Sequence, residues 1–317
     1  MFVIIGTANV DLLVSGFDQM PGGGSDEFTT NNMVFCDNPL QLMLGGNGGN
    51  CAYVLAGLGA PTALCSAAGQ AALGDYVQNW LAERHVDLTG FVRRSHWATA
   101  FTTIVMDKTL NRLAFHHSGA LASLTYADLP AHLLRTATSL LVTSYPIMPG
   151  LRLAGFAKVL AEAHARGTIT AIDIGPAIGQ PAHVAELSPM LPSLDYVIAN
   201  RHELTVCTGV EDIEQAASIF LRAGARCVIV KLGKAGALIR TAGIYTHVPG
   251  FTVATHSTVG AGDSFNAGLL YGLQQHWPIE TAARFGNAVA ALVVSSARGV
   301  LDSPTLGRVE AFLREMD

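Results

Sequence analysis

"STVGAGDSFNAG", Ser257 to Gly268, sets a carboxylate against bare backbone. Gly260, Ala261 and Gly262 run directly into Asp263, and an apolar segment follows at once. Backbone N–H groups at a helix start lack partners and carry the positive end of the dipole. Glycines leave them uncovered, so an anion can approach closely. An acid beside an anion site is awkward if the role is binding alone. It makes sense if Asp263 takes a proton from a hydroxyl that attacks phosphorus, while the Gly260–Gly262 amides steady the transferring phosphoryl group. The competing reading is a glycine turn followed by a capping acid. Taken alone, the segment leaves both open.

Outward from this point the chain alternates. Short β-branched runs at 2–5, 62–69, 139–144, 168–173, 195–200 and 227–233 read as strands buried on both faces. Helical patterns at 49–59, 76–85, 151–167 and 213–225 lie between them, and the last third is a run of helices. Strand, helix, strand at this rhythm predicts an α/β fold with a mostly parallel sheet flanked by helices. Two segments break it. Residues 12–43 are polar without helical period. Residues 92–117 read as antiparallel strands around a polar turn at Asp107 to Asn111. Both are expected to form a small β-sheet lid over a core made of residues 1–11, 44–91 and 118–317.

The composition narrows the function classes. The chain has 317 residues, half of them hydrophobic, a net charge of −5 and no basic stripe, which disfavours nucleic acid as a partner. Cys36, Cys51, Cys65, Cys207 and Cys227 are scattered without a CxxC pair and read as small apolar side chains. The N-terminal "MFVIIGTANVD" reads as a strand and not as a signal peptide, and no apolar run is long enough to span a bilayer, so a cytoplasmic protein is expected. GxxxxGK[ST] is absent. So is a glycine fingerprint after the first strand, which disfavours a nicotinamide-dependent oxidoreductase.

Three further clusters carry polar chemistry. "GGNGGN", Gly45 to Asn50, opens a helix with bare backbone and amides suited to a polyol, or is a turn with an Asn cap. "NVD" places Asn9 and Asp11 just after the first strand, where ligands bind in open α/β sheets. "NRHE" sets Asn200 and Glu203 three apart after a strand, fit to hold the hydration shell of Mg2+ or simply to cap a helix. Adjacent His116 and His117 point to opposite faces of a strand and read as ordinary lid residues. "PGGGSDE" (21–27) reads as a lid turn whose Asp26 reaches toward an acceptor.

Taken together, "GGNGGN", "NRHE", "KLGKAG" (231–236) and "STVGAGDSFNAG", in this order and spacing, resemble the ribokinase-like (PfkB-type) carbohydrate kinases over nearly the whole chain. The resemblance implies a three-layer ribokinase-like core with a β lid, and ATP with Mg2+ as donor. It also implies phosphoryl transfer to a sugar or nucleoside hydroxyl. By that likeness Asp263 is the base, and Gly260, Ala261 and Gly262 form the anion hole. Asn9, Asp11, Gly46, Asn47 and Asn50 face the acceptor. Asn200 and Glu203 order metal and phosphates through water. Lys231, Gly233 and Gly236 lie along the nucleotide, and Asn287 sits near the adenine with Gly260 and Ala290. A homodimer through the lid is also expected, because a small lid exposes β edges.

The chain departs from the pattern at several points. Ser257 stands where relatives place an acid that helps hold an activating monovalent cation; it offers a hydroxyl and no charge, which weakens the expectation of K+ activation. Asn47 stands where ribokinase has Lys, and Leu121 where it has Asn. Tyr145, in "TSYP", stands in for a sugar-binding Glu. The acceptor is therefore expected not to be plain ribose. A ring-stacking Tyr145 keeps a nucleoside kinase open as an alternative. A non-catalytic sugar- or nucleotide-binding regulatory protein is the rival from another class.

Overall fold

The computed structural model describes residues 1–20, 22, 33–109 and 111–316. Asp26 and most of the 21–27 turn lie outside them. Among the described residues thirteen strands are formed: β1 (Phe2–Ile5), β2 (Asn9–Ser15), β3 (Gln41–Gly45), β4 (Thr62–Gly69), β5 (Phe91–Arg94), β6 (Phe101–Met106), β7 (Arg112–His117), β8 (Ser139–Val142), β9 (Ile169–Asp173), β10 (Tyr196–Asn200), β11 (Cys227–Lys231), β12 (Ala237–Thr241) and β13 (Tyr245–Val248). The helices are α1 (Asn47–Gly57), α2 (Ala72–Glu83), α3 (Ala131–Thr136), α4 (Ala154–Ala165), α5 (Val184–Leu187), α6 (Arg201–Thr208), α7 (Ile213–Arg222), α8 (Ala261–Gln274), α9 (Ile279–Val294) and α10 (Leu306–Glu315).

Nine strands form one sheet in the order β13-β12-β11-β10-β9-β8-β1-β4-β5, parallel from β11 to β5 and antiparallel at β12 and β13. The central strands are buried on both faces because side chains alternate. Ile4, Leu64, Leu141, Ile198 and Ile229 pack with residues of α1, α8 and α9 on one face. Val3, Cys65, Leu140, Val197 and Val228 pack with residues of α3, α4 and α7 on the other. Cys51, Cys65, Cys207 and Cys227 are buried; Cys36 is half-exposed. Among the described residues no helix is long and apolar enough to cross a membrane.

A separate four-stranded sheet runs β3-β2-β6-β7, with β2 parallel to β6 and the other pairs antiparallel. Its β6–β7 turn is held by Asp107 Oδ1, which accepts from the amides of Thr109 (2.9 Å) and Asn111 (3.0 Å). Strand β5 departs from the sequence expectation. Residues 92–94, assigned there to the lid, pair with β4 and form an edge of the large sheet. Their Val-Arg-Arg sequence carries no face alternation of its own, so only the pairing partner assigns them. Strands β12 and β13 were not foreseen either.

Candidate active site

The functional side chains gather where the parallel strands end. Strand β1 delivers the chain to Gly6, against which Gly48 of α1 packs so closely that a Cβ at Gly48 would lie 2.8 Å from Gly6 Cα. The bare "GGNGG" backbone thus lets α1 seat on the end of β1, as well as leaving its N-terminus open. No side chain caps α1 or α8. Gly260 precedes α8 at φ +75, in the left-handed region, and a Cβ there would meet Val300 Cγ2 at 2.3 Å. Glycine is therefore required twice over, by φ and by space.

Asp263 sits in the first turn of α8 and is buried. Asn50 Nδ2 donates to its Oδ2 at 2.8 Å. Burial drives the Asp263 carboxyl up to about 7; the Asn50 hydrogen bond and the Lys231 charge oppose that rise, and Asp173 and Glu203 reinforce it. Lys231 Nζ, 3.2 Å from where a Gly262 Cβ would stand, donates to Asp173 Oδ2 at 2.6 Å. Burial works against the Lys231 charge, but the carboxylates of Asp173 and Glu203 override it and its pKa is raised. Asn266, one turn beyond Asp263, donates to the same Asp173 oxygen. The buried Asp173 therefore ties α8 to β11.

Asn200 and Glu203 form a reciprocal cap on α6. Asn200 Oδ1 accepts from the Glu203 amide at 2.8 Å, and Glu203 Oε2 accepts from the Asn200 amide at 2.7 Å. Burial, reinforced by Asp173, raises the Glu203 pKa. Both residues also line a cleft of about 600 Å3 that takes in Gly260 to Asp263, Lys231, Gly233 and Gly236. Asn47, Asn287 and Ala290 line it as well. Asn287 Nδ2 donates to the carbonyls of Val248 and Pro249, which fixes α9 against the end of β13. The apolar wall comes from Phe251, Val253, Phe265, Ala291 and Val294.

Asn9 and Asp11 lie on β2 of the small sheet. Asn9 Nδ2 donates to Asp11 Oδ1 and to Thr102 Oγ1, and Thr102 Oγ1 contacts His116 Nδ1 at 3.1 Å. A Cβ at Gly46 would lie 2.7 Å from Asn9 Oδ1. Asn9 and Asp11 therefore stand beside the start of α1. Burial pushes Asp11 up to about 6, against the hydrogen bonds from Thr102 and Asn9.

Two sequence expectations change. Tyr145 is fully buried away from the cleft. Its hydroxyl donates to Glu186 at 2.8 Å and its ring packs on Phe156. The cause is local: Ser144 takes a left-handed conformation (φ 61) and its hydroxyl holds Thr7 at 2.8 Å, turning Tyr145 into the helix layer. Its ring is thus unavailable to stack on a ligand. Asn50, expected to face an acceptor, commits its Nδ2 to Asp263 and keeps a buried, unpartnered Oδ1.

The sequence reading missed Asp173, Asn266, Lys234 and Arg112. The first had a signal, an acid closing an apolar strand at its carboxyl end. Arg112 had none, because only the fold of the lid brings β7 to the cleft.

Comparisons with known proteins give the family and the fold. A family model described as "pfkB family carbohydrate kinase" matches residues 34–306. A ribokinase of Haemophilus influenzae is 27% identical over 98% of this chain and 97% of its own. A 5-dehydro-2-deoxygluconokinase of Geobacillus kaustophilus is 26% identical over 86% and 85%. Among solved structures, Arabidopsis thaliana ribokinase complexed with ribose and ATP superposes with a TM-score of 0.83 at 22% identity, over 99% of this chain and 98% of that one.

Proposed function

The chain belongs to the pfkB family of carbohydrate kinases, and we propose that it transfers the γ-phosphoryl group of ATP to a hydroxyl of a sugar or sugar derivative other than plain ribose. The observation that carries this reading is Asp263. It is a buried carboxyl with a pKa of about 7, set in the first turn of an uncapped helix and lining the large cleft. Such a group exchanges protons near neutrality, beside amides aimed at an anion.

In this reading Asp263 accepts the proton of the acceptor hydroxyl. The hydroxyl oxygen bonds to the γ-phosphorus, the bond from that phosphorus to the bridging oxygen breaks, and ADP leaves with the electron pair. The amides of Gly260, Ala261 and Gly262 hold the charge spread over the equatorial oxygens. Lys231, Gly233, Gly236 and Asn287 bind along the nucleotide. Asn9, Asp11, Gly46 and Asn47 receive the acceptor, while Asn50 orients the base. The donors at Asn200 and Glu203 are oxygens with one set already spent on the α6 cap. That fits Mg2+ held through water better than direct ligation. Mg2+, when bound, neutralises phosphate charge.

Ser257 accepts from the Val259 amide at 3.2 Å and carries no charge, which supports turnover without a K+ requirement. Leu42, Leu113 and Phe115 are exposed on the lid. They share the face opposite Asp11 and His116, which supports a homodimer built lid to lid. With Tyr145 buried, the ring-stacking case for a nucleoside acceptor loses its support. ADP release measured with Mg2+–ATP over sugars, sugar acids, sugar phosphates and nucleosides tests the reading. Turnover on one sugar class is expected. Tight ATP binding with no acceptor turned over would favour a regulatory protein instead.

A further inference from the structure

We infer that Arg112 is a catalytic residue that binds the γ-phosphate of the nucleotide from the lid. The inference rests on the ATP-dependent reading above. Arg112 begins β7, the edge strand of the small sheet, and pairs in register with Met106. Side chains alternate along a strand, so Arg112 shares its face with Ala114 and His116. That face also carries Thr102 and Asp11, which pair across the sheet with each other. Leu13, Met43 and Ile104 of the same face pack with Val259, just before α8, and there Arg112 reaches the cleft. It lines the same cavity as Asn47 and the Gly260–Asp263 turn. Of the described lid residues, Arg112 is the one that lines this cavity.

The charges of the cleft show why a lid cation belongs there. Lys231 is the cation beside the α8 amides, and Asp173 already engages it at 2.6 Å. The carboxyl groups of Asp263 and Glu203 line the same cavity. Lys234 lies with Gly233 and Gly236, on the turn after β11. Before Arg112 is counted, a triphosphate therefore meets one compensated cation and two carboxyl groups near α8, with Lys234 on the lining of the same cavity. Among the described residues no side chain pairs with Arg112. A guanidinium offers a planar fork of donors that fits two phosphate oxygens at once. Asp107 holds the turn just before Arg112 through Thr109 and Asn111, so the approach of the strand is set in advance. During transfer Arg112 donates hydrogen bonds to non-bridging oxygens and exchanges no proton; the acceptor proton goes to Asp263. Arg112 also lies two same-face steps from His116, roughly 13 Å along the strand.

The test is calorimetric and needs no acceptor. Wild type, Arg112→Ala and Arg112→Lys are titrated with Mg2+–ADP and with the β,γ-imido analogue of ATP. Arg112→Ala is expected to weaken the triphosphate analogue about tenfold or more, the loss of a charge-assisted hydrogen bond. ADP should stay within about twofold of wild type, which also shows that the variant is folded. Arg112→Lys should recover part of the loss, since it keeps charge without the fork. Equal losses for both nucleotides, or none, overturn the assignment and leave Arg112 as an edge-strand charge or a contact to an anionic acceptor. A wild type that binds neither nucleotide overturns the ATP reading itself, and this inference with it.

Discussion

Asn50 and Asp263 stand 213 positions apart in the chain, yet the Asn50 amide donates to the Asp263 carboxylate at 2.8 Å in a buried setting. This contact joins the starts of α1 and α8, neither of which has a side-chain N-cap. It also favours the ionised form of Asp263, against burial that favours the neutral one. Deleting it with Asn50→Ala should raise the Asp263 pKa. The acidic limb of the pH–rate profile should then move upward, with the rate at pH 6.5 falling more than the rate at pH 8.5. An unmoved limb would separate Asn50 from the proton chemistry.

Asp263→Asn should keep the fold and nucleotide affinity while lowering turnover by about 10²–10⁴-fold. Stability should change in a pH-dependent way. The folded-state pKa of about 7 lies above the ordinary value of 3.8. Between those two values the folded state holds a proton that the unfolded state releases, so the ionised group costs stability as pH rises through 7. The variant should therefore gain more in melting temperature over wild type at pH 8 than at pH 5. A near-normal rate in this variant would remove Asp263 as the base.

Lys231→Met should destabilise the protein by about 3–5 kcal/mol, because it leaves Asp173, only 1% exposed, without its partner. Urea unfolding at pH 7.5 measures this. Asp173→Asn with Lys231→Met should recover much of the loss, since no unpaired charge then remains buried.

Replacing Leu113 and Phe115 together by Asp should leave a monomer by light scattering. Both side chains are more than half exposed on the lid edge strand, and a lid-to-lid interface would bury them. A wild-type protein that is monomeric at the working concentration would end the dimer reading.

Exchanging K+ for a large organic cation should change turnover by less than about twofold. Ser257 brings no charge to the position, and one exposed ionic contact fewer is worth little. A strong K+ dependence would mean that another group holds the ion.

Much of the strand and helix pattern was legible in the chain because the parallel strands are apolar on both faces and their helices keep a 3.6 period. β4 occupies the run expected of it, and α7 begins where its pattern does. β5, β12 and β13, at the two ends of the sheet, escaped because short strands there acquire their assignment from a neighbour and not from their own alternation. In the site, "GAGD" announced itself: φ +75 at Gly260 and a bare helix start are demands made on residue type. Tyr145 misled because the residue says nothing about Ser144, whose left-handed turn sends the ring into the helix layer.

The sequence alone determined the α/β class, the helix start that carries Asp263 and the glycines around it, because each depends on local periodicity or on backbone that only glycine adopts. The tertiary structure alone decided that Asn50 supports Asp263, that Asp173 neutralises Lys231 and links to Asn266, and that Arg112 reaches the cleft from the lid. Each of those joins elements far apart in the chain. A contact between two strand ends, or between a lid and a helix start, is set by how the sheet and lid pack, and no local stretch of residues encodes that packing.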